Sequence, residues 1–418
     1  MPVDYVFPTS AELELVAQNK MPNLMVNRPC FDFFPVATED AAILMWEQKD
    51  NYLGLQQVRG LNGEPSKVSK IGAKRYQMQP GVYGEYINID EVEITQRRQW
   101  GSFGTPIDIS DLVMDAQDQL LNRRLDRIES IIWTLLSTGT FSVPGPTGAI
   151  VATDSYTTQQ YTPAVGWGTY ASATPLADLR AIQLLSRGIS VGFGSDAFLY
   201  MNRRTANNML SNTNASDLAG RRTGGFGTFN SIAELNTLFT MDDLPNVKQY
   251  DGGYLAEGGV GTVTITAAGT GYTNGNYANV GFTGGGGFGA AATVIVAAGV
   301  ITTVLITSVG QGYLTPPALI TTGLGAGTGA VLTTIIGSQF VPFIPDGTGI
   351  LIGRRPLGQM VGKFVYTRNA NNSGAAPGAY MKVIDNGERQ VPRNIETHDG
   401  FNGGPVIYFP SSIVRLNV

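Results

Sequence analysis

The chain is poor in groups that do chemistry. Among its 418 residues there is one histidine, His398, and one cysteine, Cys30. A histidine-rich metal site, a His-pair catalytic centre, a cysteine-rich zinc site and an internal disulfide framework are all excluded by that count. A Ser-His-Asp triad would have to use His398. That residue lies in Glu396-Thr397-His398-Asp399-Gly400, which reads as a polar turn. Cys30 reads as a small buried hydrophobe.

The remaining motifs fail on spacing. Gly284-Gly285-Gly286-Gly287-Phe288-Gly289 follows no strand-to-helix pattern, and no glycine run carries the Gly-Lys-Ser/Thr of a phosphate loop. Asp242-Asp243 and the pair Glu91, Glu93 read as solvated carboxylates and not as a glycosidase pair. Asp385-Asn386-Gly387-Glu388 reads as a hairpin turn and not as a calcium loop. Asn214-Ala215-Ser216 and Asn371-Asn372-Ser373 match the glycosylation pattern, but the N-terminus shows no secretion signal. No apolar stretch reads as a membrane span. The expectation is a soluble protein made in a cytoplasm, not an enzyme, with no cofactor and no membrane partner. A net charge of −5 provides no basic field, so any contact with double-stranded DNA is expected to be weak and non-specific.

If no catalytic group needs positioning, the elements themselves carry the function. Between Glu257 and Asp346 there are 88 consecutive residues without Asp, Glu, Lys or Arg, and 20 of them are glycine. Edges this sharp mark an inserted module over 257–339. It repeats internally. Val263-Thr264-Ile265-Thr266-Ala267-Ala268-Gly269-Thr270-Gly271-Tyr272 is echoed by Val304-Leu305-Ile306-Thr307-Ser308-Val309-Gly310-Gln311-Gly312-Tyr313. Val, Ile and Thr runs bounded by glycine predict strands, and two copies predict a small β-sandwich or duplicated hairpin. The flanks, Tyr250 to Leu255 and Phe340 to Gly347, read as two strands of one hairpin whose turn has been replaced by a domain.

The rest of the chain is mixed α and β. Helical patterns cover 10–19 and 38–48. Residues 53–98 predict a long charged hairpin with a type II turn at Gln79-Pro80-Gly81-Val82 and a bulge at Asp90-Glu91. It has no core of its own to cover, so Lys70, Lys74, Arg75, Tyr76, Met78, Tyr83, Glu85 and Tyr86 are expected to contact another subunit. Apolar residues from Ile109 to Leu136 recur at three and four, predicting an amphipathic helix over 107–139 that ends at Gly139. Arg123, Arg124 and Arg127 on it are expected to form an intersubunit or genome-facing patch. Further helices are expected at 175–186, 202–210 and 231–239, a strand at 197–201, and β-structure at the C-terminus.

Several stretches carry a resemblance through their order. They are Pro80-Gly81-Val82-Tyr83-Gly84-Glu85 through Ile94-Thr95, the run Ile107 to Gly139, Tyr250-Asp251-Gly252 with Ile344-Pro345-Asp346-Gly347, and Gly404-Pro405-Val406. About 330 residues in this order resemble the Hong Kong 97-type fold of tailed-bacteriophage major capsid proteins, lambda-type in flavour. The resemblance implies an α+β fold with seven stretches. These are an N-terminal arm (1–52), an E-loop hairpin (53–98), a P domain with its spine helix (99–165), an A domain in two parts (166–256 and 340–370) around the insert, and return strands (371–418). It implies self-assembly through hexamers and pentamers into an icosahedral shell, in the host cytoplasm and then the virion. It also implies a portal and, in some relatives, scaffolding or decoration proteins as partners. The E-loop lysine crosslink of some relatives has no matching motif here and is not assigned to Lys67, Lys70 or Lys74. An encapsulin-like compartment shell and a β-rich adhesin or tail-fibre component remain the alternatives.

Overall fold

The computed structural model describes all residues except 1–9, 50–54, 69–71, 99–100, 102–103, 105–106, 146–149, 190, 213–230, 355–359 and 387–390. Two compact units emerge, one of residues 1–143, 152–251 and 344–418, the other of residues 144–151 and 252–343.

In the first unit, helices α1 (Ser10–Met25) and α2 (Cys30–Phe33) lead into strands β1 (Val36–Thr38), β2 (Leu44–Lys49), β3 (Ala73–Met78) and β4 (Gly81–Asp90). Then come α3 (Glu91–Gln96) and the 30-residue α4 (Ile109–Thr138). The helix expected over 107–139 is therefore present. Asp108 caps its N-terminus by accepting from the Ser110 N–H, and Gly139, at φ 74°, takes the left-handed position that ends it. Leu112, Leu120, Leu125, Ile128, Ile132 and Leu136 are all buried.

Strands β5 (Thr140–Pro144), β6 (Ile150–Ser155) and β7 (Gln159–Tyr161) follow, then α5 (Pro175–Gln183), β8 (Phe198–Met201), α6 (Arg203–Leu210), helix Ile232–Met241 and β9 (Asn246–Gln249). These match the expected helices and strand. Asn202 and Ser231 are the N-caps, each accepting from the backbone three residues on.

After the second unit the chain returns through β16 (Thr348–Ile352), β17 (Gly362–Tyr366), β18 (Ala379–Asp385), β19 (Asn394–Ile407) and β20 (Ile413–Asn417). Two mixed sheets result, ordered β1-β17-β19-β18, with β4 also on β19, and β7-β20-β16-β8-β9. In the second sheet, Leu199, Met201, Leu351, Val414 and Leu416 pack on Leu179, Ile182 and Phe239 of the helices. In the first, Ile89 and Ile395 pack on Ile109, Leu112, Val113 and Ala116 of α4.

Four expectations are corrected. Residues 38–48 are not helical, since Leu44 to Lys49 form β2. Strands β3 and β4 do not pair across Pro80-Gly81. β3 pairs with β2 (Leu44↔Met78, Trp46↔Tyr76), and β4 pairs with β19 along its full length. The Pro-Gly signal is thus a corner between two sheets, and the hairpin spans 44–78. The slip at Asp90-Glu91 is no bulge but the start of α3, whose N-cap Asp90 accepts from the Glu93 N–H at 2.8 Å. His398 lies in no turn; it sits mid-strand in β19 opposite Tyr86. The hairpin turn expected at 385–388 lies partly outside the described residues.

The second unit is built of strands β10 (Gly253–Thr270), β11 (Gly275–Thr283), β12 (Phe288–Ala297), β13 (Val300–Gln311), β14 (Ala318–Leu319) and β15 (Thr328–Pro342). β10 pairs antiparallel with β15, and the other four form a sheet ordered β13-β12-β11-β14. Its ends meet: Gly253 faces Pro342, and the Phe343 N–H donates to the Gly252 carbonyl at 2.9 Å. The flanks are two strands of one ladder, as expected. The core is small, formed by Tyr272, Ala292, Val294, Val296, Ile301 and Leu324.

Candidate assembly surfaces

The hairpin β2–β3 carries several of the expected contact residues. Lys74 and Arg75 are exposed on β3, and Arg75 reaches Glu47 across the ladder at 2.8 Å. Tyr76 is half-buried in a mutual cluster with Trp46 and Tyr156, its ring centroid 5.7 and 6.0 Å from theirs, which lie 6.1 Å from each other. Met78 is fully buried, so it is a core residue and not a contact surface. Lys70 lies outside the described residues. Between the strands, residues 55–68 hold Leu55, Val58 and Leu61 at 99%, 100% and 101% exposure. Three apolar side chains on one loop, wholly in solvent, form the most conspicuous unsatisfied surface of the first unit.

On β4, Tyr83 stacks on Phe401 at 5.0 Å with the Arg127 guanidinium 5.8 Å from its ring. Burial raises the Tyr83 phenol above its ordinary value, and Arg127 opposes this. Glu85 binds Arg123 at 2.5 Å. Tyr86 is exposed and stacked on His398 at 5.1 Å. Arg123 and Arg127 are thus at the surface but engaged within the chain.

Arg124 corrects the expectation of a solvated arginine patch. It is 6% exposed and its Nη1 binds Asp399 Oδ1 at 2.9 Å. Burial raises the Asp399 carboxyl to about 6, against the pull of Arg124 and with a further push from Glu85. Nearby Tyr366 is raised to about 12, first by burial. Arg124 and Tyr366 border a cavity of about 490 Å³ beneath Ala17 and Met21 of α1.

A second buried network has no counterpart in the sequence reading. Glu129, at 0% exposure, accepts from Arg28 at 3.0 Å, Trp133 at 3.1 Å and Tyr250 at 2.6 Å. Arg28 also binds Asp126 at 2.7 Å. Glu129 joins the segment before α2, the spine helix and the strand region leaving β9. Its position on the buried face of the i, i+4 pattern with Trp133 was the available signal.

Among the described residues there is no group of three or more His, Cys, Asp or Glu that could hold a metal ion. No helix among the described residues is long and apolar enough to cross a membrane.

No protein-family model matches the chain, and no curated protein does. Among solved structures it is similar to a prophage protein from E. coli described as a capsid protein. The identity is 13%, the TM-score 0.48, and 98% of this chain and 99% of that chain are covered. It is similar to a structure of Mycobacterium phage Patience at 10% identity and TM-score 0.41, covering 99% and 89%. It is also similar to the SrpI encapsulin complex of Synechococcus elongatus at 9% identity and TM-score 0.38, covering 94% and 88%.

Proposed function

We propose that this chain is the major capsid protein of a tailed phage, assembling with copies of itself into an icosahedral shell around double-stranded DNA. The observation that carries the reading is the loop 55–68, which spreads Leu55, Val58 and Leu61 into solvent. Leaving three aliphatic side chains in water forgoes roughly 1.5–3 kcal/mol each. A neighbouring subunit that covers them recovers this, and repetition by symmetry multiplies it. The order of parts supports the same reading: an N-terminal helix, the β2–β3 hairpin, a 30-residue helix, a mixed α/β region and returning strands. Lys74, Arg75, Tyr76, Tyr83, Glu85 and Tyr86 are proposed to line the contact. Arg123 and Arg127 are proposed to face a neighbour or the genome, with the net charge of −5 keeping DNA contact weak. Assembly is placed in the host cytoplasm, with a portal and optional scaffolding or decoration proteins as partners. The unit at 252–343 is proposed to be displayed on the exterior, because its paired ends graft it on without interrupting either sheet of the first unit.

The test is electron microscopy with light scattering of the purified chain, beside a variant with Leu55→Asp, Val58→Asp and Leu61→Asp. The parent is expected to form closed particles or rings of five and six. The variant is expected to stay small, with unchanged circular dichroism. A parent that stays monomeric even with a scaffolding partner, or a variant that assembles as the parent does, overturns the proposal.

A further inference from the structure

Within residues 252–343 the sequence repeat is realised with its strands exchanged. Residues 258–298 form one unit of 41 residues and 299–338 the next, one residue shorter. β10 of the first pairs with β15 of the second, and β13 of the second pairs with β12 of the first. The two ladders share one register. Thr262↔Ile335 and Thr264↔Thr333 in one correspond to Thr303↔Ile295 and Leu305↔Thr293 in the other. They also break at the same places. One residue is skipped between Ile265 and Ala267, and one between Ile306 and Ser308; one between Val260 and Thr262, and one between Ile301 and Thr303.

The turns are exchanged as well. The Tyr272 N–H donates to the Gly299 carbonyl at 3.1 Å, and the Tyr313 N–H to the Gly258 carbonyl at 3.1 Å. Tyr272 lies against Gly327 and Tyr313 against Gly287, where a Cβ would enter the ring. Each of these contacts joins one unit to the other. Reciprocal contact, i to j and j to i, is the geometry of an isologous dimer. The symmetry fails at one point, for a chemical reason. Gly275 and Asn276 of β11 pair with β12, but their counterparts are Pro316 and Pro317. These have no N–H to donate, and the corresponding strand shrinks to β14.

We infer that this region is a homodimer of one 41-residue unit made into a single chain, so that the partner each unit's surface fits is a second copy of that unit. The inference is independent of the shell reading. It predicts that a chain holding one unit pairs with the unit of another chain. The test uses the full chain lacking residues 299–338, with Thr264→Cys and Thr293→Cys. In the exchanged pairing these positions face each other only between units. After oxidation, denaturing gel electrophoresis without reductant is expected to show a species of twice the chain's mass, absent from the Cys30-only parent. A disulfide within one chain, or none, overturns the inference. A second variant replaces residues 299–338 by a copy of 258–298 in the full chain. Its insert is expected to resist proteolysis as the parent's does. Digestion of the insert while the rest of the chain stays folded overturns the inference too.

Discussion

The two compact units solve the same problem with opposite means. The first buries charge. Glu129 is held by Arg28, Trp133 and Tyr250, and Arg124 is held by Asp399. The second contains no charged side chain from residue 258 onward and rests on backbone ladders and a core of small aliphatic residues around Tyr272. A buried charge is a poor source of net stability, but it makes wrong arrangements expensive. In the first unit it links segments far apart in sequence, 28 to 129 and 124 to 399, and so fixes which elements meet. The second unit has little need of such a device, since its repeat register already selects the pairing and glycine permits the close crossings.

This contrast can be broken at four points. Glu129→Ala leaves Arg28 and Tyr250 without their shared acceptor. Breaking a buried pair in this way costs about 3–5 kcal/mol, to be read from urea unfolding followed by tryptophan fluorescence. A loss under about 1 kcal/mol would show that the network does not hold the first unit. Ile301→Ala in the second unit removes a side chain with 1% exposure. It is expected to cost about 2–5 kcal/mol, seen as faster hydrogen exchange over residues 252–343 and not over α4.

The third point is Asp399, whose folded-state value of about 6 lies above the ordinary 3.8. The folded chain therefore holds this proton more tightly than the unfolded chain. Its contribution to stability is full below about pH 4 and is lost as pH rises through about 6. Asp399→Asn is expected to remove that component, so parent and variant should differ in the slope of urea midpoint against pH between about 4 and 6. Parallel slopes would refute the assignment. The smallest effect is expected from Arg75→Ala. Its pair with Glu47 is solvent-exposed and worth under about 1 kcal/mol, so thermal stability should hold, and any loss of particles in light scattering reports on contact between subunits.

What the sequence made legible were local signals with long reach. The three-and-four spacing ending at Gly139 located α4 almost to the residue. The charge-free run 258–345 overlaps the second unit's residues 252–343, and the Gly-x-Gly-Tyr repeats announced its duplication. Signals shared by two structures were misleading. A Pro-Gly step serves a hairpin turn and a corner between sheets equally well, so β3 and β4 were paired with each other when their partners, β2 and β19, lie elsewhere. Leu44-Met45-Trp46 follows an acidic stretch that imitates a helix start, yet it becomes a strand because β3 is there to pair with it. Arg124 looked like one more member of a basic surface run. Only the fold reveals that Asp399, 275 residues away, turns it inward. Residue type gave no hint that the repeats would exchange strands, because a unit's own β12 offers the same alternation as its neighbour's β15.

The hydrogen bond between Phe343 and Gly252 bears on how the chain finds its fold. Strand β16 must pair with β8, Leu351 against Leu199, across everything inserted between them. Closing a flexible loop of roughly 90 residues costs about 4 kcal/mol of chain entropy, growing as the logarithm of its length. Once residues 252–343 have folded on themselves, their two ends stand side by side, and the chain separating β8 from β16 contracts from the 146 residues of 202–347 to the 54 of 202–251 and 344–347. An inserted unit that folds first would shorten the search that slows formation of that sheet.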